Sequence, residues 1–494
     1  MKVSFIGAGS IGFTQTLVRD LLKVPEFHDT NFFFHDISEK NLDFVSKLIQ
    51  KDIDANNLPA TIEQSTDRKK ALEGAKYIIN CTRIGGLEAF EHDINIPLQY
   101  GVDQCVGDTI CAGGILYGQR NIPQTLNFCK DIKSYSDSNA LFLNYSNPMA
   151  MNTWAAISEA KVNTVGLCHG VQGGAKLISK ALGSENSKDL EYMCSGINHM
   201  TWYIDLKFKG KKVSKEELID ALERHPEISK QEKVRIDILK RFGLFSTESN
   251  GHLSEYLPWY RKRVEDIPKW IDLSNWIHGE TGGYLRVTSE KRNWFEEDFE
   301  KFLSESGIDL NNHKRSSEHG SYIIESIETN RPYRGHFNVV NNGTITNLPD
   351  DCVIESTGTV DKDGIKMIKG VELPMACASL CRTSIDVQRM AVKAAIDGDL
   401  NLLKLAVLQD PLVSAVCAPD EVWSMVDEMI VAQSKWLPQY QNEIELALER
   451  IKNSNVKKKN FKGAARMKTR SPEELKNDEA SSLLVEAQAF EFDA

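Results

Sequence analysis

The sequence predicts an α/β fold: a Rossmann-type, doubly wound parallel sheet at the N-terminus with a large α+β second domain behind it. Three observations carry the prediction. Short β-rich runs alternate with amphipathic helical stretches up to about residue 180. The first of these runs leads straight into a glycine-rich turn that opens a helix. Beyond about Ser195 the alternation gives way to an antiparallel type of strand pattern and charged helices.

In chain order, residues 2–8, 31–37, 60–65, 77–84, 140–147 and 163–169 read as strands, each ending in turn or polar residues. Helical periodicity lies between them, over 17–22 and 42–53. Residues 201–208 alternate as an antiparallel strand would, and 215–242 reads as charged helices. The stretch 335–360 predicts paired strands with a turn at Asn341-Asn342-Gly343, and 372–452 reads as mainly helical. After Asn453 come Lys457, Lys458 and Lys459 and then polar sequence. The expected division is 1–194 for the Rossmann domain, 195–454 for the second domain and 455–494 for a polar, charged tail that is at best partly ordered.

Composition narrows the function. The 494 residues, 41% hydrophobic with 8 Trp, suit two large interlocked domains rather than one. A net charge of −11 and a pI near 5.6 disfavour nucleic acid as a partner, which calls for a basic stripe. The start lacks the architecture of a signal peptide, and no run of about 18 apolar residues offers a membrane span. Ten cysteines without framework spacing read as reduced thiols. A soluble, cytoplasmic and acidic protein is expected.

The turn after the first strand is Gly7-Ala8-Gly9-Ser10-Ile11-Gly12. Its first glycine permits a tight turn, its second lets backbone approach a pyrophosphate, and its third lets the helix pack close to the sheet. Asp36, at the end of the second strand, supplies the carboxylate that accepts bonds from a ribose and repels a 2′-phosphate. NAD is therefore the expected cofactor, held by Gly7, Gly9, Ser10, Gly12 and Asp36.

Ligands of doubly wound sheets bind beyond the carboxyl ends of the strands. Two polar clusters fall there, Asn144-Tyr145-Ser146-Asn147-Pro148 and Leu167-Cys168-His169-Gly170, and a third, Gly196-Ile197-Asn198-His199, opens the second domain. Cys168 and His199 are a thiolate and an imidazole able to hold a transition metal. Spacing alone leaves open that both are ordinary core residues.

Together, Gly7–Gly12, Asn144–Met149, Cys168–Val171, Asn198–His199 and Asn347-Leu348-Pro349 resemble glycoside hydrolase family 4 over about residues 1–445. The flanks of Asn147 and Cys168, with Thr247-Glu248-Ser249, His252, Glu255-Tyr256 and Pro258-Trp259, are similar to the melibiase-type α-galactosidases of that family. The resemblance implies a lactate/malate dehydrogenase-like superfold and a redox-neutral cleavage of α-glycosides. Hydride leaves sugar C3 for NAD, the ketone acidifies the C2 proton, a base removes it, and the C1–O bond breaks by elimination. Water then adds and the hydride returns. A divalent metal, typically Mn²⁺, held by Cys168 and His199, polarises the C3 carbonyl.

The same resemblance implies that Asn147 holds the hydroxyls near C2 and C3. Asp108, in Gly107-Asp108-Thr109, contacts the distal hydroxyls unless it is a helix cap. His169, where phospho-sugar members place Asp or Asn, disfavours a 6-phosphate substrate and becomes a candidate acid or sugar ligand. Glu248 and His252 stand where those members offer a tyrosine base. The expected assembly is a homodimer or homotetramer. Gly170 resembles α-glucuronidase or α-glucosidase members, while the longer flanking similarity favours α-galactosides. A lactate/malate-type dehydrogenase and a non-catalytic NAD sensor are the readings from other classes. The first would leave net NADH, and the second has no need of Asn147, Cys168 and His199.

Overall fold

The computed structural model describes residues 1–297, 299–459 and 461–476. The six predicted parallel strands are β1 Lys2–Ile6, β2 Asn31–His35, β3 Thr61–Ser65, β4 Tyr77–Asn80, β5 Leu141–Asn144 and β6 Thr164–Gly166. Each is shorter than the apolar run that announced it; in all but β3 the polar carboxyl end leaves the sheet as a loop. They lie in the order β3-β2-β1-β4-β5-β6, all parallel. That is the doubly wound order, which places the loops after β1, β4, β5 and β6 along one edge.

The sheet does not stop there. Strands β7 Leu190–Ile197, β8 Met200–Phe208, β9 Lys211–Lys212, β10 Tyr333–Val340, β11 Val353–Asp361 and β12 Gly364–Met367 extend it to twelve. The join is antiparallel, Asn338 of β10 against Gly166 of β6. Leu310, Ile323, Ile324, Phe337 and Val360 pack into the same core as Phe5, Phe34 and Leu143, so late chain completes the N-terminal layer. A second core joins helices Cys111–Tyr135 and Met375–Asp397 to the C-terminal helices.

The expected turn at Asn341-Asn342-Gly343 is present, closed by Thr344 N–H donating to Asn341 O at 2.8 Å with Asn342 and Gly343 at positive φ, within a longer connection between the paired strands. Val340 pairs with Val353, and the loop between them is knotted by the Asn341 side chain, which accepts from Ile345 N–H and donates to the Ile345 and Leu348 carbonyls. Helices Gly86–Gln99 and Cys111–Tyr135 went unread, because each contains a proline, and the second is buried almost all round over its first half. The segment read as a tail is tied down as far as 476. Lys459 N–H donates to Gln99 O, Ala464 N–H to Asp103, and Arg470 pairs with Glu290. Residues 477–494 of that expected tail lie outside the described residues. Among the described residues, no helix is long and apolar enough to cross a membrane.

Candidate active site

The glycine turn closes β1 and starts helix Ile11–Leu22. Gly7 has φ +85°, and a Cβ there would stand 2.9 Å from Thr82 N. A Cβ on Gly9 would stand 2.6 Å from Asp36 Oδ2, the atom that accepts the Gly9 N–H at 2.8 Å. Asp36 thus anchors the glycine turn. Ser10 is exposed at the helix start and its side chain makes no capping bond. Gly12 departs from the expected role. A Cβ there would meet no sheet atom, only Lys291 Nζ at 3.6 Å, so this glycine leaves room under a cation and not for helix packing.

At the end of β5, Asn147 precedes a cis proline and donates its Nδ2 to Asp108 Oδ2 at 3.1 Å. Arg83, after β4, donates to the same oxygen at 3.1 Å and lies against the Phe90 and Tyr284 rings. Asp108 is fully buried, and its other oxygen, Oδ1, has no hydrogen-bond partner among the described residues. It caps no helix; the helix that follows starts at Cys111 with Ile110 in the capping position. A buried carboxylate oxygen without a partner is unfavourable unless a ligand hydroxyl meets it.

The next two strand ends bring the metal candidates together. Cys168 follows β6, and His199 sits at the apex of the two-residue β7–β8 turn with φ +63°. A non-glycine residue in that region is strained by about 1–2 kcal/mol and marks a site where geometry has been selected. Cys168 Sγ and His199 Nε2 are 3.4 Å apart. Glu248 and His252, before and within helix Asn250–Tyr256, complete the group. Glu248 Oε2 is 3.5 Å from His199 Nε2, and His252 Nε2 is 3.3 Å from His199 Nδ1. His199, Glu248 and His252 are all buried, with ligand-capable atoms within 4.8 Å of one another.

Electrostatics follow from that burial. It pushes the Cys168 thiol well up, with Glu355 and Glu248 adding to the effect. It lowers His199 to about 4 despite Glu248. Burial opposes ionisation of Glu248, yet His199 and His252 outweigh it and hold the carboxyl below its usual range. A divalent cation would replace the thiol proton and offset the carboxylate, so thiolate, imidazole and carboxylate donors fit such an ion.

The Glyco_hydro_4 model, described as family 4 glycosyl hydrolase, matches residues 2–184, and the family's C-terminal domain model matches 194–413. The chain is a family 4 glycosyl hydrolase. An α-galactosidase of Rhizobium meliloti (strain 1021) is 60% identical over 98% of this chain and 98% of its own. One of Bacillus subtilis (strain 168) is 35% identical over 89% of this chain and 99% of its own. A 6-phospho-alpha-glucosidase from gut microorganisms, solved in complex with NAD and Mn²⁺, shares the fold with a TM-score of 0.73 at 19% identity, covering 88% of this chain and 99% of that one.

In this family 4 enzyme, His169 is the most open of the site's titratable groups, 37% exposed, at the start of helix Gly170–Ala181. Its Nδ1 is 3.2 Å from Glu318 Oε1, and Glu318 is buried. Thr109 lies 2.8 Å from His252 Nε2 and accepts the Tyr256 hydroxyl. Sequence reasoning missed Arg83, Lys291 and Glu318, which reach the site from other elements, and it gave no role to Thr109, which adjoins Asp108. Asn347 of the Asn-Leu-Pro motif holds the loop before β11 to Leu373 rather than entering this group.

Proposed function

We propose that this family 4 enzyme hydrolyses non-phosphorylated α-galactosides with NAD and a divalent metal, Mn²⁺ by preference. One observation carries the reading: Cys168 Sγ and His199 Nε2 converge to 3.4 Å beside the Asn147–Asp108 pair, on the strand-end edge that also carries the glycine turn. The names of the two α-galactosidase relatives support the substrate class, and the cofactors bound in the gut 6-phospho-alpha-glucosidase support the pair of groups. His169 beside Cys168, in place of an Asp or Asn, supports a sugar without a 6-phosphate.

When bound, NAD accepts and returns the C3 hydride, and the metal supplies Lewis acidity beside it. The chain does the rest. Gly7, Gly9, Ser10 and Gly12 open a path for the pyrophosphate to the first turn of helix Ile11–Leu22, and Asp36 anchors the turn and takes the ribose hydroxyls. Cys168 and His199 hold the metal. Asn147 and Asp108 accept and donate to the ring hydroxyls, with Arg83 fixing the carboxylate. His169, partly exposed and backed by Glu318, is the group that would pass a proton at the sugar. All ten cysteines are free, which suits a reducing compartment such as the cytoplasm.

The test is turnover of p-nitrophenyl α-galactoside with NAD, Mn²⁺ and a thiol reductant, beside the α-glucoside and α-glucuronide. Nitrophenol release from the galactoside without net NADH is the expected result. Net NADH without sugar release would make the chain a dehydrogenase.

A further inference from the structure

We propose that Glu248 is a third protein ligand of the metal, through Oε2, and not the proton-abstracting base. The proposal rests on the Cys168–His199 metal reading above and extends it. His199 Nε2 is approached from two sides, by Cys168 Sγ at 3.4 Å and by Glu248 Oε2 at 3.5 Å. One imidazole nitrogen carries at most one proton, so it cannot donate to both. Each separation, taken singly, matches an edge of a coordination polyhedron, since ligand bonds of about 2.0–2.3 Å at roughly tetrahedral angles put donors about 3.4–3.6 Å apart. Glu248 also belongs with His199 and His252 to a buried group whose ligand atoms lie within 4.8 Å of one another. A Cβ on Gly170 would lie 3.4 Å from Glu248 Oε2 and 3.9 Å from Cys168 Sγ, so the absence of a side chain there leaves those two donors facing the same space.

The surroundings hold Glu248 as a ligand is held. Its Oε1 accepts the Ser249 N–H at 2.8 Å, and His252 Nδ1 lies 3.8 Å from that same oxygen, which leaves Oε2 to face His199. His252 also orients the imidazole ligand: with His199 Nε2 on the metal, the proton sits on Nδ1, 3.3 Å from His252 Nε2. A buried carboxylate also settles a mismatch in donor chemistry. Thiolate and imidazole alone favour zinc, whereas a carboxylate oxygen is a donor suited to Mn²⁺. A base, by contrast, should keep a lone pair open to the sugar, whereas Glu248 is buried with Oε1 taken by the Ser249 N–H and Oε2 turned to His199.

The experiment titrates metal-free full-length protein, without sugar, with Mn²⁺ followed by EPR of the free ion, and with Co²⁺ followed by its thiolate charge-transfer and d–d bands. Glu248→Gln should weaken Mn²⁺ binding by about 100-fold, keep the thiolate–Co²⁺ band and change the d–d pattern. It should weaken Cd²⁺, a soft ion, less than Mn²⁺. Glu248→Asp, which keeps the carboxylate, should bind Mn²⁺ with intermediate affinity and serves if the glutamine variant does not fold. Wild-type Mn²⁺ affinity and d–d bands in a folded Glu248 variant, whatever its turnover, would overturn the proposal and return Glu248 to the role of base. Wild-type Mn²⁺ affinity in Cys168→Ser and His199→Ala would overturn the underlying metal reading instead, a result separable from the first.

Discussion

Asp36 accepts the Gly9 N–H at 2.8 Å through one carboxylate oxygen and the Ser38 N–H at 2.9 Å through the other. The residue proposed to take the ribose hydroxyls thus also clamps the glycine turn to the end of β2. Asp36→Ala should therefore weaken NAD binding by about 1.5–3 kcal/mol, roughly 10- to 150-fold, as for a lost bond to a charged group. Gly9→Ala, which forces a methyl onto Asp36 Oδ2, should weaken it too. Fluorescence titration with NAD checks both, and unchanged affinity in the Asp36 variant removes that residue from the site.

Lys291 brings a cation over Gly12, where the pyrophosphate would run. Lys291→Ala should weaken NAD binding by about tenfold, and more at low ionic strength than at high. An affinity that ignores both the substitution and the salt would show that Lys291 only covers the turn.

Asp108 keeps a buried oxygen without a partner while Arg83 and Asn147 hold the other. Asp108→Ala should lower kcat/KM for an α-galactoside by about 10- to 150-fold, the value of a hydrogen bond to a charge, with NAD affinity unchanged. Equal loss of NAD binding would mean the variant has disturbed the fold around β4 rather than a sugar contact.

Glu355 lies buried beneath Cys168, where burial pushes its carboxyl up to about 7 against a hydrogen bond from Thr201. Its unfolded value is near 4.5, so between the two values the folded protein binds more protons than the unfolded chain. Stability should then fall as pH rises through that window and stay lower above about 7, by about 3 kcal/mol at most. Glu355→Gln should lose less stability between pH 5 and pH 8 than the parent in urea unfolding of metal-free protein. Parallel losses in the two proteins would assign the pH dependence elsewhere.

Ala464 N–H donates to Asp103, whose carboxylate also accepts from Thr281 and pairs with Arg261, on the loop that leads to Asp108. A chain ending at Asn453 should consequently melt earlier and turn over more slowly, against the sequence-based expectation of a peripheral tail. Wild-type melting and activity in that truncation would restore the expectation.

Much of this was legible before the structure. The six parallel strands showed because their residues are β-rich and apolar along a short run, and the glycine turn showed because only glycine serves at Gly7 and Gly9. Helix Cys111–Tyr135 did not show, since its first half is buried almost all round and has no polar face to give it a period. At the site, the strand-end rule drew attention to Cys168, His199 and Asn147, and the family resemblance gave them and Asp108 roles; spacing alone does not tell that Cys168 meets His199 or that Asn147 meets Asp108. The partners that fix them, Arg83 for Asp108 and Glu318 for His169, come from distant elements and have no local signature. Sequence also misjudged Gly12, whose neighbour is a lysine from a helix more than 250 residues away along the chain.

The central claim is that the glycosidic bond breaks by oxidation at C3 and elimination across C1–C2, and not at C1 alone as with a carboxylate pair. The most direct test is the NMR spectrum of galactose released from an α-galactoside in D₂O, with NAD and Mn²⁺ present. The account predicts deuterium at C2 of the product, and turnover that requires NAD without consuming it. Product carrying no C2 deuterium, formed by enzyme whose activity survives complete removal of NAD, would contradict it.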